Sequence, residues 1–379
     1  MTTKKLPECR HVVYCRPTKE ARLKGVTDDF HFAKVIEYDD KGKPRPDLKV
    51  IKNYKRPFWI TKPGCRNHKD KKEFEDINRL EMYTCKQGDL RDSVVKALNL
   101  YVGKNVGFKE ICNNPYIYGA DIPSTSIIKH TVNSKNSEMS PYTVAVYDIE
   151  TNMFSEAHET FLASITFKDK ALLAVNRSFF AKHIPDTLSD QKEIDDFIAS
   201  GIIKECHKWL KEDLTKRKIN LEIALVDTEI DIVKSCIGKA HEWKPDILTG
   251  WNVVFDIKEA EAACKRAGVD IADIFCDPIV PKSHRKFVIQ EGKEQRTTAS
   301  GVSKSQGGAN QWVTFDFPAT FEIHDAMRDF KFVRTGQPEQ LKYSLDYTLK
   351  KQIKRNKLKT GSVTTKDGTE WHRQMQMHF

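Results

Sequence analysis

The hydrophobic rhythm of the chain changes near residue 140. Before that point the apolar runs are short. His11–Tyr14 and Phe30–Tyr38 read as strands, and Asp39-Asp40-Lys41-Gly42 after the second reads as a hairpin turn. Within Lys86–Tyr101, residues Leu90, Val94, Val95, Leu98 and Leu100 fall at helical spacing. Ser124–Pro141, rich in Ser, Asn, Thr and Lys, reads as a linker. The pattern predicts a smaller mixed α+β domain over 1–140 and an α/β domain over 141–379.

From Tyr142 onward strands and helices alternate. Tyr142–Ile149, Phe161–Phe167 and Ala171–Val175 read as strands, with connections short enough for antiparallel neighbours. Lys192–Leu214 reads as a helix and Leu221–Val226 as a strand. Thr228–Trp243 reads as a second helix, with Ile232, Val233, Cys236, Ile237 and Ala240 on its apolar side. Asp246–Thr249 is a short strand, and Phe255–Ala267 a helix stopped by Gly268. Lys286–Gln290 and Gln311–Phe317 read as the two sides of a hairpin, with a mobile, polar tip around Ser303–Gly308. Phe321–Phe332 and Leu341–Gln352 read as helices.

Composition narrows the function classes. The chain has 379 residues, 39% of them hydrophobic, which is ample for buried cores. No run approaches the roughly 18 apolar residues of a membrane span, and the N-terminus has no apolar signal segment. A membrane role is therefore not expected. Nine cysteines are scattered without a C-x-x-C pair, which argues against zinc and disulfides and for a reducing compartment. The net charge of +10 favours a polyanionic partner. Lys52–Lys72 interleaves Tyr54, Phe58 and Trp59 with many basic residues. This segment suits either a stacking platform for single-stranded nucleic acid or an ordinary strand with inward aromatics.

The candidate chemistry sits at two strand ends. Y-T-V-A-V-Y-D-I-E-T at Tyr142–Thr151 closes a β-branched run with Asp148 and Glu150, which alternation places on one face. Such a pair is either a solvated strand end or an oxygen site for magnesium or manganese. D-I-L-T-G-W-N-V-V-F-D-I at Asp246–Ile257 puts Asp256 in the first turn of a helix after a strand. There it can complement the helix dipole or join the other two acids.

Together these segments resemble the Exo I and Exo II motifs of family B DNA polymerases, most of all the T4-like bacteriophage branch. The K-Y-S-L-D-Y stretch at Lys342–Tyr347 and H-D-A-M at His324–Met327 add to the likeness, which covers about 140–350 well and the first 140 residues loosely. The resemblance implies a ribonuclease H-like, DnaQ-type 3′–5′ exonuclease domain with a mixed sheet. It implies an enzyme that removes mispaired 3′ nucleotides from DNA using two divalent cations, Mg2+ or Mn2+. Asp148, Glu150 and Asp256 would be the catalytic and metal-ligand carboxylates. Asn252, Phe255, Thr151 and Asp325 would contact the substrate, and Lys286–Phe317 would match the hairpin that separates primer from template. The implied partners are DNA, as a single-stranded 3′ end or a primer–template, together with a polymerase domain or partner chain and a sliding clamp. The implied location is the cytoplasm of a virus-infected bacterial cell.

The family also has a third motif, Y-x-x-x-D, and none follows Tyr347. Trp371, Met375 and Phe379 begin an amphipathic spacing about where that motif would start. The expectation is a fragment or split-gene product, weakly active until the downstream polypeptide supplies the fourth carboxylate. Two other functions compete with this reading. One is a non-catalytic module that binds single-stranded DNA and docks on a polymerase chain. The other is an unrelated ribonuclease H-like repair exonuclease.

Overall fold

The computed structural model describes residues 5–100, 107–152, 156–293, 295–297, 301, 303–305, 307–338, 340 and 342–355. The chain divides into two units. The first comprises Met1–Pro141 with Phe275–Phe287 and Asp316–Thr320, and the second comprises the rest. The two short late segments return to the first unit, and nothing in their local pattern signals it.

In the first unit, β1 (Glu8–Cys15), β2 (Phe30–Tyr38) and β3 (Pro44–Lys52) form one antiparallel sheet. Strands β4 (Lys55–Thr61), β5 (Leu80–Lys86) and β6 (Ile117–Tyr118) form another, with β4 in the middle. The β2–β3 turn forms as its sequence suggests. Asp39 accepts the amides of Lys41 and Lys43 at 3.0 and 2.9 Å, and Gly42 takes a φ of 74°. Among the described residues the α-helices of this unit are α1 (Lys19–Leu23), α2 (Leu90–Leu98), α3 (Phe108–Ile111) and α4 (Ser124–Asn133). Helix α2 buries Leu90, Val94 and Leu98, four residues apart, in one core with Phe58, Ile60 and Ile117. Burying each such side chain contributes about 1.5–3 kcal/mol.

Two expectations for this unit change. The segment read as a linker begins with α4, which packs on β1. Asn133 at its end both accepts the Cys9 amide at 2.8 Å and donates to the Cys9 carbonyl at 2.9 Å, beside the register shift between Cys9 and His11. The aromatics of Lys52–Lys72 divide between core and surface. Phe58 is buried with α2, while Tyr54 and Trp59 are half-buried. Phe58 therefore belongs to an ordinary strand with an inward aromatic.

The second unit is a mixed six-strand sheet with helices. Its strands are β7 (Val144–Thr151), β8 (Thr160–Phe167), β9 (Lys170–Asn176), β10 (Asn220–Val226), β11 (Ile247–Gly250) and, late in the chain, β16 (Glu322–Asp325). Their order across the sheet is β10-β9-β8-β7-β11-β16, and only β8 runs against the other five. Helices α5 (Gln191–Arg217), α6 (Glu229–Trp243), α7 (Val253–Ala267), α8 (Ile271–Phe275), α9 (Ala326–Val333) and α10 (Leu345–Ile353) follow the strands. The predicted apolar side of α6 is fully buried, and Thr228 caps it by accepting the Asp231 amide. Gly268 ends α7 in the left-handed conformation at φ 66°. None of the described helices is long and apolar enough to cross a membrane.

The hairpin region pairs β12 (Val288–Glu291) with β15 (Val313–Asp316). Inside it, β13 (Gln295–Thr297) pairs antiparallel with β14 (Ser303–Ser305), so part of the segment read as a polar tip is itself a strand. The segment Phe321–Phe332 is not one helix. Its first residues form β16, parallel to β11, and the helix begins only at Ala326. Parallel pairing is a long-range contact, so a four-residue strand leaves no local periodicity to read. The third-motif region after Arg355, including Trp371, Met375 and Phe379, lies outside the described residues.

Candidate active site

Strand β7 carries the centre of the site. Its side chains alternate: Ala145, Tyr147 and Ile149 are buried, while Asp148 is exposed and Glu150 half-buried on the opposite face. The two acids stand two residues apart, roughly 6–7 Å along the strand. Between Glu150 and Thr151 the pairing with β8 shifts register. Such irregularities re-aim strand ends and are frequent beside active sites. Thr151, half-buried, ends the strand just past this shift.

A second set of contacts holds β11 against β7. Asp246 is buried, and one of its carboxylate oxygens accepts both the amide and the hydroxyl of Thr143, at 2.8 and 2.9 Å. At the other end Gly250 approaches so closely that a Cβ there would lie 2.6 Å from the Tyr147 carbonyl oxygen. Only glycine fits, so the backbone of β11 can turn into α7 directly beside β7.

That turn delivers the third acid. Asn252 sits in the left-handed conformation, φ 66°, immediately before α7. Phe255 follows with its side chain 46% exposed, and Asp256 is 3% exposed. Asp256 accepts the Ile149 amide at 3.0 Å, which places its carboxylate against the backbone between Asp148 and Glu150. Burial raises its pKa to about 7, assisted by the negative charge of Asp148 and, less, of Glu150, while the Ile149 amide pulls the other way.

Asp256 therefore lies within electrostatic reach of Asp148 and Glu150, near the C-terminal ends of β7 and β11. The donor chemistry suits a hard divalent cation, whose charge would relieve the stress on Asp256. The closure is incomplete, because among the described residues no three His, Cys, Asp or Glu side chains converge tightly enough to hold an ion.

Asp325 is placed differently from the substrate contacts. It is 1% exposed, and its two oxygens accept the amides of Val254 in α7, at 3.2 Å, and Arg328 in α9, at 2.9 Å. It joins two helix starts. The K-Y-S-L-D-Y stretch is tied to the site as well. Trp251 donates its indole N–H to the Tyr343 carbonyl at 2.9 Å, and Ser344 caps α10. Asp246 and Trp251 lie inside the motif that the sequence singled out, but their roles depend on contacts with Thr143 and Tyr343 about a hundred residues away.

Comparison with known proteins returned no match, either to a family model or to a curated protein.

Proposed function

We propose that this chain is the N-terminal and proofreading part of a viral family B DNA polymerase. In this reading the second unit is a ribonuclease H-like 3′–5′ exonuclease domain, and the mixed sheet supports it. The observation that carries the reading is Asp256: a buried carboxylate, distant in sequence, bonded to the backbone of the strand that bears Asp148 and Glu150. Perturbed acids of this kind are typical of reactive sites.

The placement of these residues supports the following roles. Asp148 and Glu150 present acceptor oxygens on the open face of β7. Asp256 adds a third from below, its position set by the Ile149 amide. Divalent cations bound there would supply a nucleophilic water at neutral pH and offset charge on the leaving 3′ oxygen. Phe255 offers an exposed ring on which a terminal base stacks. Asn252, whose carbonyl accepts the Phe255 amide, and Thr151 orient the terminal nucleotide.

The test is release of 3′ nucleotides from a single-stranded oligonucleotide with Mg2+ or Mn2+, by the chain alone and with the downstream polypeptide. Weak release by the chain, a large gain on addition, and loss of both in Asp148→Ala are expected. Release that survives Asp148→Ala contradicts the site.

A second reading rests on the incomplete closure of the acid cluster. In it the chain binds single-stranded DNA and docks on a polymerase chain without catalysis. Binding of the oligonucleotide with no release under any condition favours that reading.

A further inference from the structure

The second unit holds a cavity of about 340 Å³ between α5 and the 3-10 helix Arg177–His183 that follows β9. Phe180, Ile184, Phe197, Ile198 and Ile202 give it apolar walls. These walls are held in place by the protein itself. Phe180 and Ile202 also pack against the core of Phe161, Leu162 and Val175. Phe179, next to Phe180, stacks on Phe161 with ring centroids 4.3 Å apart. Arg177 opens the 3-10 helix and grips Asp195 of α5 with two bonds, at 2.7 and 3.0 Å, and it also meets Asp227. One wall is thereby tied to the other, as in ligand sites that are formed in advance.

Gly201 lines this cavity from within α5. Glycine inside a helix lowers stability relative to alanine. Neither backbone nor packing asks for it here: its φ is not positive, and a Cβ would meet nothing within 4 Å. What the missing side chain leaves is room. Among the described lining residues Ser200 and Lys204 alone carry polar side chains, and both are exposed. The interior therefore suits an apolar group rather than a base, whose edge needs polar partners. Beyond the cavity the same face of α5 is cationic. Lys204, Lys208 and Lys211 stand three, seven and ten residues after Gly201. Lys208 meets Glu205 at 3.0 Å. Lys204 and Lys211 are exposed and lie about 10 Å apart along the axis. Asp196 is exposed one turn before Ser200, so negative charge is drawn to the lysine end.

We propose that this cavity and the lysines beyond it form a docking site for an acidic peptide whose acidic run ends in a large apolar side chain. The apolar side chain fills the space over Gly201, and the acids lie along Lys204 and Lys211. The volume is at the small end of ligand cavities, which span about 300–1,000 Å³, and fits an anchoring side chain. A single carboxylate cannot meet both lysines, which favours a run of acids over a fatty acid. Exposed ion pairs alone would do little. The buried anchor supplies the affinity, while the lysines select for acids and speed the encounter. The inference stands on the cavity and the lysines and does not depend on the exonuclease reading.

The test is fluorescence anisotropy with the full chain and a labelled peptide of four glutamates followed by leucine and phenylalanine. Saturable binding at low salt is expected. Gly201→Phe fills the cavity and should weaken binding at least about tenfold, as should Lys204→Glu combined with Lys211→Glu. Gly201→Ala adds one methyl group. It should bind within about threefold of wild type and melt at a higher temperature, which separates loss of the cavity from damage to α5. A peptide ending in two serines, and one with glutamines in place of the glutamates, should each bind at least about tenfold more weakly. No binding by the wild type, or equal binding by Gly201→Phe, overturns the proposal. Equal binding of the serine peptide overturns the apolar anchor, and equal binding of the glutamine peptide overturns the acidic partner. A labelled single-stranded oligonucleotide is titrated alongside. If Gly201→Phe weakens its binding and not that of the peptide, the cavity belongs to a nucleic-acid surface and the proposal fails.

Discussion

Arg56 and Glu8 in the first unit and Asp256 in the second are buried in opposite ways. In the first, Arg56 is 0% exposed, yet its guanidinium donates to the carbonyls of Gly119, Ala120 and Ile122 and to the Gln87 side chain. Glu8 is equally buried and meets Arg10 at 3.0 Å, the Tyr38 hydroxyl at 2.7 Å and the Ser140 hydroxyl at 2.7 Å. In the second, Asp256 is buried beside two further acids and titrates near neutrality. Matched burial organises a fold, whereas mismatched burial stores a demand for charge that a bound cation can meet.

Substitutions can break this contrast. The largest effect expected is on chemistry: Asp148→Ala should lower nucleotide release on the order of 10³-fold, since a divalent ion is worth several kcal/mol to such a transition state. Steady-state release with Mn2+ checks this, and urea unfolding should show the fold unharmed. Next is Arg56→Ala, which leaves three carbonyls without their donor and should destabilise the first unit by about 3 kcal/mol. Urea unfolding followed at Trp59 reads this loss, while nucleotide release by the folded fraction stays unchanged. Asp325→Ala should cost the second unit about 1–2 kcal/mol for each of the two helix starts it caps, and hydrogen exchange at Val254 and Arg328 locates the loss.

The smallest net effect is in pH, because two groups oppose each other. His31 in the first unit is buried, bonded through Nε2 to the Ser124 hydroxyl, and desolvation lowers its pKa to about 4. Its unfolded value is the higher one, so its contribution is present above about pH 6.5 and is lost as pH falls toward 4. Asp256 has the opposite sign. Its folded pKa of about 7 exceeds the unfolded value, so without metal it costs increasing stability as pH rises from about 4 to 7. Metal-free Asp256→Asn should therefore melt above wild type at pH 7.5, with the gap closing by about pH 4. Thermal unfolding across that range checks both sign and window.

Much of this arrangement was legible in the sequence, because the signals were local. The alternation of β7 placed Asp148 and Glu150 on one face, and the helical periods of α2 and α6 named their buried residues. The failures were long-range. Helix α4 looked like a linker because Asn133 reveals its purpose only against Cys9 in β1. Strand β16 was read as helix because its pairing with β11 decides it. The motif around Asp325 was visible, but its bonds to the amides of Val254 and Arg328, which join two helix starts, were not.

The central claim is that Asp148, Glu150 and Asp256 form one divalent-cation site. Calorimetric titration of Mn2+ into the purified chain at pH 7.5 tests it most directly, with Asp148→Ala alongside. Saturable binding to the wild type, at least about tenfold weaker in the variant, is the predicted result. Equal affinity in the two proteins would contradict the account.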